Sequence, residues 1–153
     1  MAKFDFDVAI IGGGSAGYAT ARTTSAAGKR TVVIEESETL GGLCILRGCM
    51  PTKALLHAAD VRFQSKRSNI WGIDPGEIGF DFGKVMQRKE DMVEEFASYR
   101  RGQLQDGKFE LIRGLAKFQD PHSLNVSNGQ SITAGHIMIS TGSRVADLPL
   151  PEL

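Results

Sequence analysis

The chain has 153 residues, 41% of them hydrophobic and 24% charged, with 18 basic residues balancing 18 acidic ones. That is enough chain for one domain with a core, and a net charge of zero excludes both the basic footprint of a nucleic-acid binder and a polybasic membrane surface. No apolar run approaches a membrane span and the N-terminus shows no secretory pattern, so the expected compartment is the cytoplasm.

Phe6 to Ile11 is a short apolar run of the kind found in buried parallel strands. Gly12-Gly13-Gly14-Ser15-Ala16-Gly17 follows at once, and a helix then runs through Tyr18 and Arg22 to a glycine stop at Gly28. Thr31 to Ile34 reads as a second strand, ending in Glu35 and Glu36. A glycine motif alone is usually just a loop. Here strand, Gly-x-Gly-x-x-Gly, helix, strand and acid stand in the order that a dinucleotide-binding turn requires. Gly12 permits the tight turn, Gly14 lets the backbone approach a pyrophosphate, and Gly17 lets helix and strand pack closely. Ser15 and Ala16 open the helix whose N-terminus would receive the phosphates. Glu35 is placed to accept hydrogen bonds from a ribose.

Both cysteines of the chain, Cys44 and Cys49, lie in the stretch from Gly41 and Gly42 through Gly48, Pro51 and Lys53. A structural disulfide is a poor explanation, because so short a loop removes little unfolded-state entropy. Nor does the composition resemble a secreted disulfide scaffold. In a regular helix, Cα atoms five residues apart stand roughly 8–9 Å from each other, whereas a disulfide needs about 4.4–6.8 Å. The pair can close only across a break, and Gly48 and Pro51 supply one. Pro51 fits the first turn of a helix continuing through Leu55 and Leu56. That sets Cys49 at a helix N-terminus, where the dipole and the nearby Lys53 are expected to favour thiolate. Two readings remain open at this point: a redox-active pair, or two free buried thiols.

The helix is expected to run from Lys53 to about Ser68, with Leu55, Leu56, Ala59 and Phe63 on one face. His57 lies on it and carries no assigned chemistry. Trp71 to Gly76 reads as a loop. Asp81 is an N-cap for a long charged helix from Phe82 to Leu104, with Val85, Met92, Val93 and Phe96 as its apolar positions. Its run Arg88-Lys89-Glu90-Asp91 reads as a solvated face. From Phe109 the pattern shortens to strands at Phe109 to Gly114, Ala116 to Phe118, Ser123 to Val126, Ser131 to Thr133 and His136 to Ser140. Turn signals at Asp120-Pro121 and Asn128-Gly129 divide them. The residues from Asp147 to Leu153 read as an exit linker.

These motifs together resemble the N-terminal FAD-binding portion of the class I flavoprotein disulfide reductases, the family of dihydrolipoamide dehydrogenase, glutathione reductase and mercuric reductase. The likeness rests on the fingerprint at 12–17, Glu35, the Gly-Gly-x-Cys-x4-Cys-x-Pro-x-Lys signature at 41–53, Gly114-Leu115-Ala116, and Ser140-Thr141-Gly142. It implies a Rossmann-like α/β fold: a βαβ parallel sheet in three layers with a small antiparallel β-meander, as one incomplete FAD-binding domain over 1–153. It also implies that Cys49 faces the flavin, that Cys44 is the more accessible interchange thiol, and that Lys53 lies beside the flavin ring. Residues 35–44 and Ala116 would line the adenosine and pyrophosphate. The implied chemistry carries electrons from NAD(P)H through FAD to a Cys44–Cys49 disulfide and on to a small thiol or disulfide, in the service of cell redox homeostasis.

Leu43 stands where the family commonly has threonine, and Ile45-Leu46-Arg47 replaces its usual small apolar-Asn-apolar run, so the substrate is left open. A second glycine fingerprint and the family's His-x4-Glu pair are absent; His57, His122 and His136 do not supply it. The expectation is therefore a fragment without its NAD(P)-binding and dimerisation domains, inactive alone, from a parent that is a homodimer. The alternative is a dinucleotide-binding module whose cysteines are not catalytic.

Overall fold

The computed structural model describes residues 3–146; the expected exit linker at 147–153 lies outside the described residues. The chain divides into two compact units, one formed by Met1–Ser37 with Phe109–Leu153, the other by Glu38–Lys108.

The first unit holds β1 (Phe6–Ile11), α1 (Ser15–Ala26), β2 (Thr31–Glu35), β3 (Glu110–Arg113), β4 (Ala116–Asp120), β5 (Ser123–Val126) and β6 (Ser131–Ile139). The strands form one six-stranded sheet in the order β3-β2-β1-β6-β5-β4. Its β3-β2-β1-β6 portion is parallel, and β6-β5-β4 continues it as an antiparallel meander. This is the Rossmann-like α/β sheet with its small meander. Ala9, Ile10, Val32 and Val33 are all fully buried, so the central strands are covered on both faces and carry unbroken apolar runs instead of an alternation. Leu124, Val126, Ile132 and Ala134 extend the same core under the meander.

The expected break between Ser131–Thr133 and His136–Ser140 does not occur. One nine-residue strand spans both pieces. Its first residues pair antiparallel with β5, and from Ala134 onward it pairs in parallel with β1. Gly135, between the two expected pieces, sits where a Cβ would stand 3.3 Å from the carbonyl oxygen of Asp7. The missing side chain lets β6 lie close against the start of β1 while it changes partners.

Helix α1 ends as its glycine stop suggests. The Gly28 N–H donates to the Ser25 carbonyl at 2.9 Å and the Lys29 N–H to that of Thr24 at 3.1 Å, satisfying carbonyls the last turn leaves open.

The second unit holds α2 (Gly42–Leu46), α3 (Cys49–Lys66), a short 3-10 turn at Ser68–Trp71, and α4 (Phe82–Leu104). Asp81 caps α4 as expected, its Oδ1 accepting from the Lys84 N–H at 3.1 Å. Val85, Met92 and Val93 are half-buried on the inward stripe, but Phe96 is exposed and Ala97 with Leu104 form the buried positions. The run 88–91 is not uniformly solvated either. The Lys89 side chain is only 18% exposed, because it lies on the same stripe, four residues after Val85 and four before Val93.

The expected apolar face of α3 is reversed. Leu55, Leu56, Ala59 and Phe63 are exposed, while the small residues Ala54, Ala58 and Ser65 are half-buried. Helix α3 packs against α4, and small side chains at four- and seven-residue spacing let two helices approach closely. Among the described residues no helix is long and apolar enough to cross a membrane.

Two substitutions test these assignments by thermal or denaturant unfolding. Leu124→Ala, at a fully buried core position, is expected to cost about 2–5 kcal/mol. Gly102→Ala lies inside α4 with nothing within 4 Å of the added Cβ, and is expected to stabilise by about 0.5–1 kcal/mol.

Candidate functional site

The glycine turn at the end of β1 is built by backbone groups approaching without side chains between them. Gly12 has φ +103°, and a Cβ there would run into the Ser140 carbonyl; a Cβ on Gly17 would run into the Gly12 carbonyl and lie 2.8 Å from Ser140 Oγ. The Ser140 hydroxyl braces this crossing, lying 3.0 Å from the Ile11 carbonyl and 2.9 Å from that of Gly12. Ser140, an expected cofactor contact, thereby also holds the turn's shape, and Thr141 and Gly142 are exposed beyond it. Gly14 caps α1, no acidic residue occupies the first turn and no side chain caps it, so the N–H groups of Ser15, Ala16 and Gly17 remain as donors at the positive end of the helix.

Glu35 closes the other side. Its Oε2 accepts from the Gly13 N–H at 2.6 Å and its Oε1 from the Ser37 N–H at 2.8 Å. Each carboxylate oxygen keeps a lone pair for a further donor, so the acid both orders the turn and can take a ribose hydroxyl. Glu36 is exposed. Gly114 lies beside Glu35, its N–H donating to the Glu35 carbonyl at 3.0 Å, and Ala116 follows at the start of β4. The side chain of Arg113 donates to the Ser37 carbonyl, a restraint on this loop that the sequence did not signal.

In the second unit the two cysteines fall on different helices. Cys44 is in the short α2, which Gly41 and Gly42 introduce, and Cys49 is the first residue of α3. The break expected between them lies at Arg47–Gly48. A Cβ on Gly48 would stand 2.9 Å from the Leu43 carbonyl oxygen and 3.2 Å from Cys44 Cα. That close approach folds the chain back and brings the thiol of Cys49 into a hydrogen bond with Cys44. Thr52 secures the turn, its Oγ1 donating to the Gly48 carbonyl at 2.8 Å. Both cysteines are reduced.

Two expectations for this pair are corrected. Cys49 is exposed and Cys44 half-buried, the latter next to the buried Ile45 on α2. The Cys49 thiol is also pushed above its ordinary value, not below it. The hydrogen bond to Cys44 is the main cause, followed by the charge of Cys44 and by desolvation; Lys53 and the backbone act in the expected, lowering direction but do not prevail. Lys53 is exposed on the outer side of α3. Against the turn lies a cavity of about 380 Å³ lined by Leu46, Pro51, Lys89, Glu90, Val93 and Glu94. Lys89 is a neighbour that composition hid; only its spacing along α4 signals it.

These features define a class: a Rossmann-like α/β fold whose chain also carries two neighbouring cysteines on either side of a helix break. Comparison with known proteins gives the family. The model of the pyridine nucleotide-disulphide oxidoreductases matches residues 6–153, and the chain belongs to that family. Leghemoglobin reductase of Vigna unguiculata is 36% identical over 148 residues, 94% of this chain and 28% of that protein. A dihydrolipoyl dehydrogenase of Bacillus subtilis is 32% identical, covering 95% of this chain and 33% of the relative. The HOCl-induced flavoprotein disulfide reductase RclA from Escherichia coli superposes with a TM-score of 0.77 at 33% identity, over 95% of this chain and 30% of that one. The chain thus spans about a third of the length of these proteins.

The causes acting on Cys49 give a signed prediction. Cys44→Ala removes the two largest raising influences, so the pH profile for alkylation of Cys49 moves to lower pH. Lys53→Met removes a lowering influence and moves it to higher pH. Peptide mapping after timed alkylation reads both.

Proposed function

We propose that the chain is the FAD-binding and redox-dithiol part of a flavoprotein disulfide reductase. The observation that supports this reading most is the pair of thiols in hydrogen-bond contact across the Gly48 break. The two units serve as parts of one FAD-binding domain, 1–153. In the first, the α1 N-terminus and the bare backbone at Gly12, Gly14 and Gly17 hold the diphosphate, and Glu35 holds the adenosine ribose. Glu36, Gly114, Ala116, Thr141 and Gly142 border the same nucleotide. In the second, Gly41, Gly42 and Gly48 shape the dithiol turn, and Lys53 supplies positive charge beside the flavin ring.

When bound, FAD supplies the two-electron chemistry that links NAD(P)H to sulfur. The chain's own part is thiol–disulfide exchange. Two electrons reduce the Cys44–Cys49 disulfide to two thiols, and these pass to a small disulfide substrate as the bridge reforms. Cys49, exposed at the start of α3, is the sulfur open to a ring laid against it, and Cys44 exchanges with substrate. Nicotinamide-linked turnover, in a cytoplasmic homodimer, needs a nicotinamide site beyond the residues assigned here.

Two measurements test the reading. Mild oxidation is expected to convert both thiols to an intramolecular disulfide that dithiol reductants reverse. Thiols that stay free and unreactive would instead leave a nucleotide-binding module with inert cysteines. With FAD bound and the dithiol reduced, a long-wavelength charge-transfer band is expected, lost in Cys49→Ser and retained in Cys44→Ser. A flavin spectrum that never develops the band would sink the sulfur–flavin contact.

A further inference from the structure

We infer that Arg47, placed between the two cysteines at the junction of α2 and α3, selects disulfide substrates that carry a carboxylate or other anion close to the sulfur. This rests on the redox reading of Cys44 and Cys49.

Arg47 is exposed at the end of the five-residue α2. No hydrogen bond or ion pair holds its guanidinium among the described residues. The acidic groups that line the neighbouring cavity do not cancel it. Glu90 is engaged by Lys89 at 3.4 Å, and Glu94 by the Arg101 guanidinium together with the Ser98 hydroxyl. Lys53, also exposed and unpaired in the same sense, adds positive charge on the far side of Cys49. Arg47 and Lys53 thus flank Cys49 in the chain, two residues before it and four after, as exposed cations with no ion pair among the described residues, although the chain as a whole is neutral. A guanidinium also offers a planar fork of donors that matches a carboxylate in two hydrogen bonds. Arg47 lies three residues after one cysteine and two before the other, and its untethered guanidinium is free to meet a substrate attacked at either.

The exchange runs as follows. A thiolate of the reduced pair attacks one sulfur of the substrate, RSSR, forming a mixed disulfide and expelling RS⁻, which takes up a proton. The second protein thiolate then attacks the mixed disulfide and expels the other RS⁻. The protein loses two electrons, RSSR gains them, and two RSH leave. A cation beside the attacked sulfur favours an anionic RSSR on encounter, and it stabilises the negative charge leaving on RS⁻. A purely structural role for Arg47, holding the end of α2, would change the rates for all disulfides alike.

The test uses the full chain, reduced and freed of reductant, with three disulfides of similar size: dithiodipropionate (anionic), bis(hydroxyethyl) disulfide (neutral) and cystamine (cationic). The rate of Cys44–Cys49 bridge formation is followed by quenched mass spectrometry. Each rate is divided by that of a small neutral thiol with the same disulfide, because the three leaving thiols differ in acidity. So normalised, the wild type is expected to react in the order anionic, neutral, cationic, with the anionic-to-cationic ratio roughly five- to tenfold from one charge at about 7 Å in water. Arg47→Gln is expected to bring the ratio towards one, and Arg47→Glu to invert it. Salt at roughly 1 M, where the screening length falls to about 3 Å, is expected to erase the preference in the wild type, a readout independent of whether any variant folds. Ratios that are the same in wild type, Arg47→Gln and Arg47→Glu overturn the inference while leaving the redox reading intact. No intramolecular bridge with any of the three reagents overturns both.

Discussion

Backbone meeting backbone with no side chain between them is the constraint on which both halves of this molecule depend. In the first unit the Gly17 Cα lies against the Gly12 carbonyl, and the Ser140 hydroxyl is hydrogen-bonded to the same crossing. In the second, Gly48 lies against Leu43 and Cys44 closely enough that a Cβ would meet backbone atoms. Backbone has no rotamer by which to move aside, so a side chain at either place would displace a whole element. The first contact keeps the α1 N-terminus aimed beyond the end of β1, and the second folds α2 against α3 so that one sulfur meets the other.

The sulfur pair also shows which of several electrostatic effects prevails. The helix start and Lys53 both favour thiolate at Cys49, yet the direction of its shift is upward. A hydrogen bond to a neighbouring sulfur acts at contact distance, whereas the lysine charge acts through solvent at an exposed site where water screens it. Contact wins over distance. The consequence is a Cys49 thiol that gives up its proton less readily than an isolated one.

The second unit is thinly cored, with Leu40, Ile45, Ala97 and Leu104 as its buried apolar side chains among the described residues. Helix α3 has none. Its inward stripe of Ala54 and Ala58 allows close helix packing but buries little area, so Leu56 and Phe63 remain more than half exposed. Hydrophobic periodicity identifies a face, and the identity of the neighbouring surface decides whether that face turns inward. This is why the apolar stripe of α3 points the wrong way from its sequence, while the stripe of α4, capped by Asp81 and longer, is largely as its sequence indicates.

What the sequence determined by itself is local or is carried by side-chain type. The strand–glycine turn–helix–strand–acid order, the bounds of α4, the cap at Asp81, the glycine stop at Gly28 and the need for a break between Cys44 and Cys49 are all legible there. Each depends on residues within a turn or two of one another, where propensity and steric freedom act directly. Only the tertiary structure decided the rest. It joined Ser131–Ile139 into one strand that changes partners between Thr133 and Ala134, set the Ser140 hydroxyl on the glycine turn, put Lys89 inward, and exposed Cys49 in preference to Cys44. These outcomes are set by which distant surface is adjacent, and no window of sequence contains that neighbour.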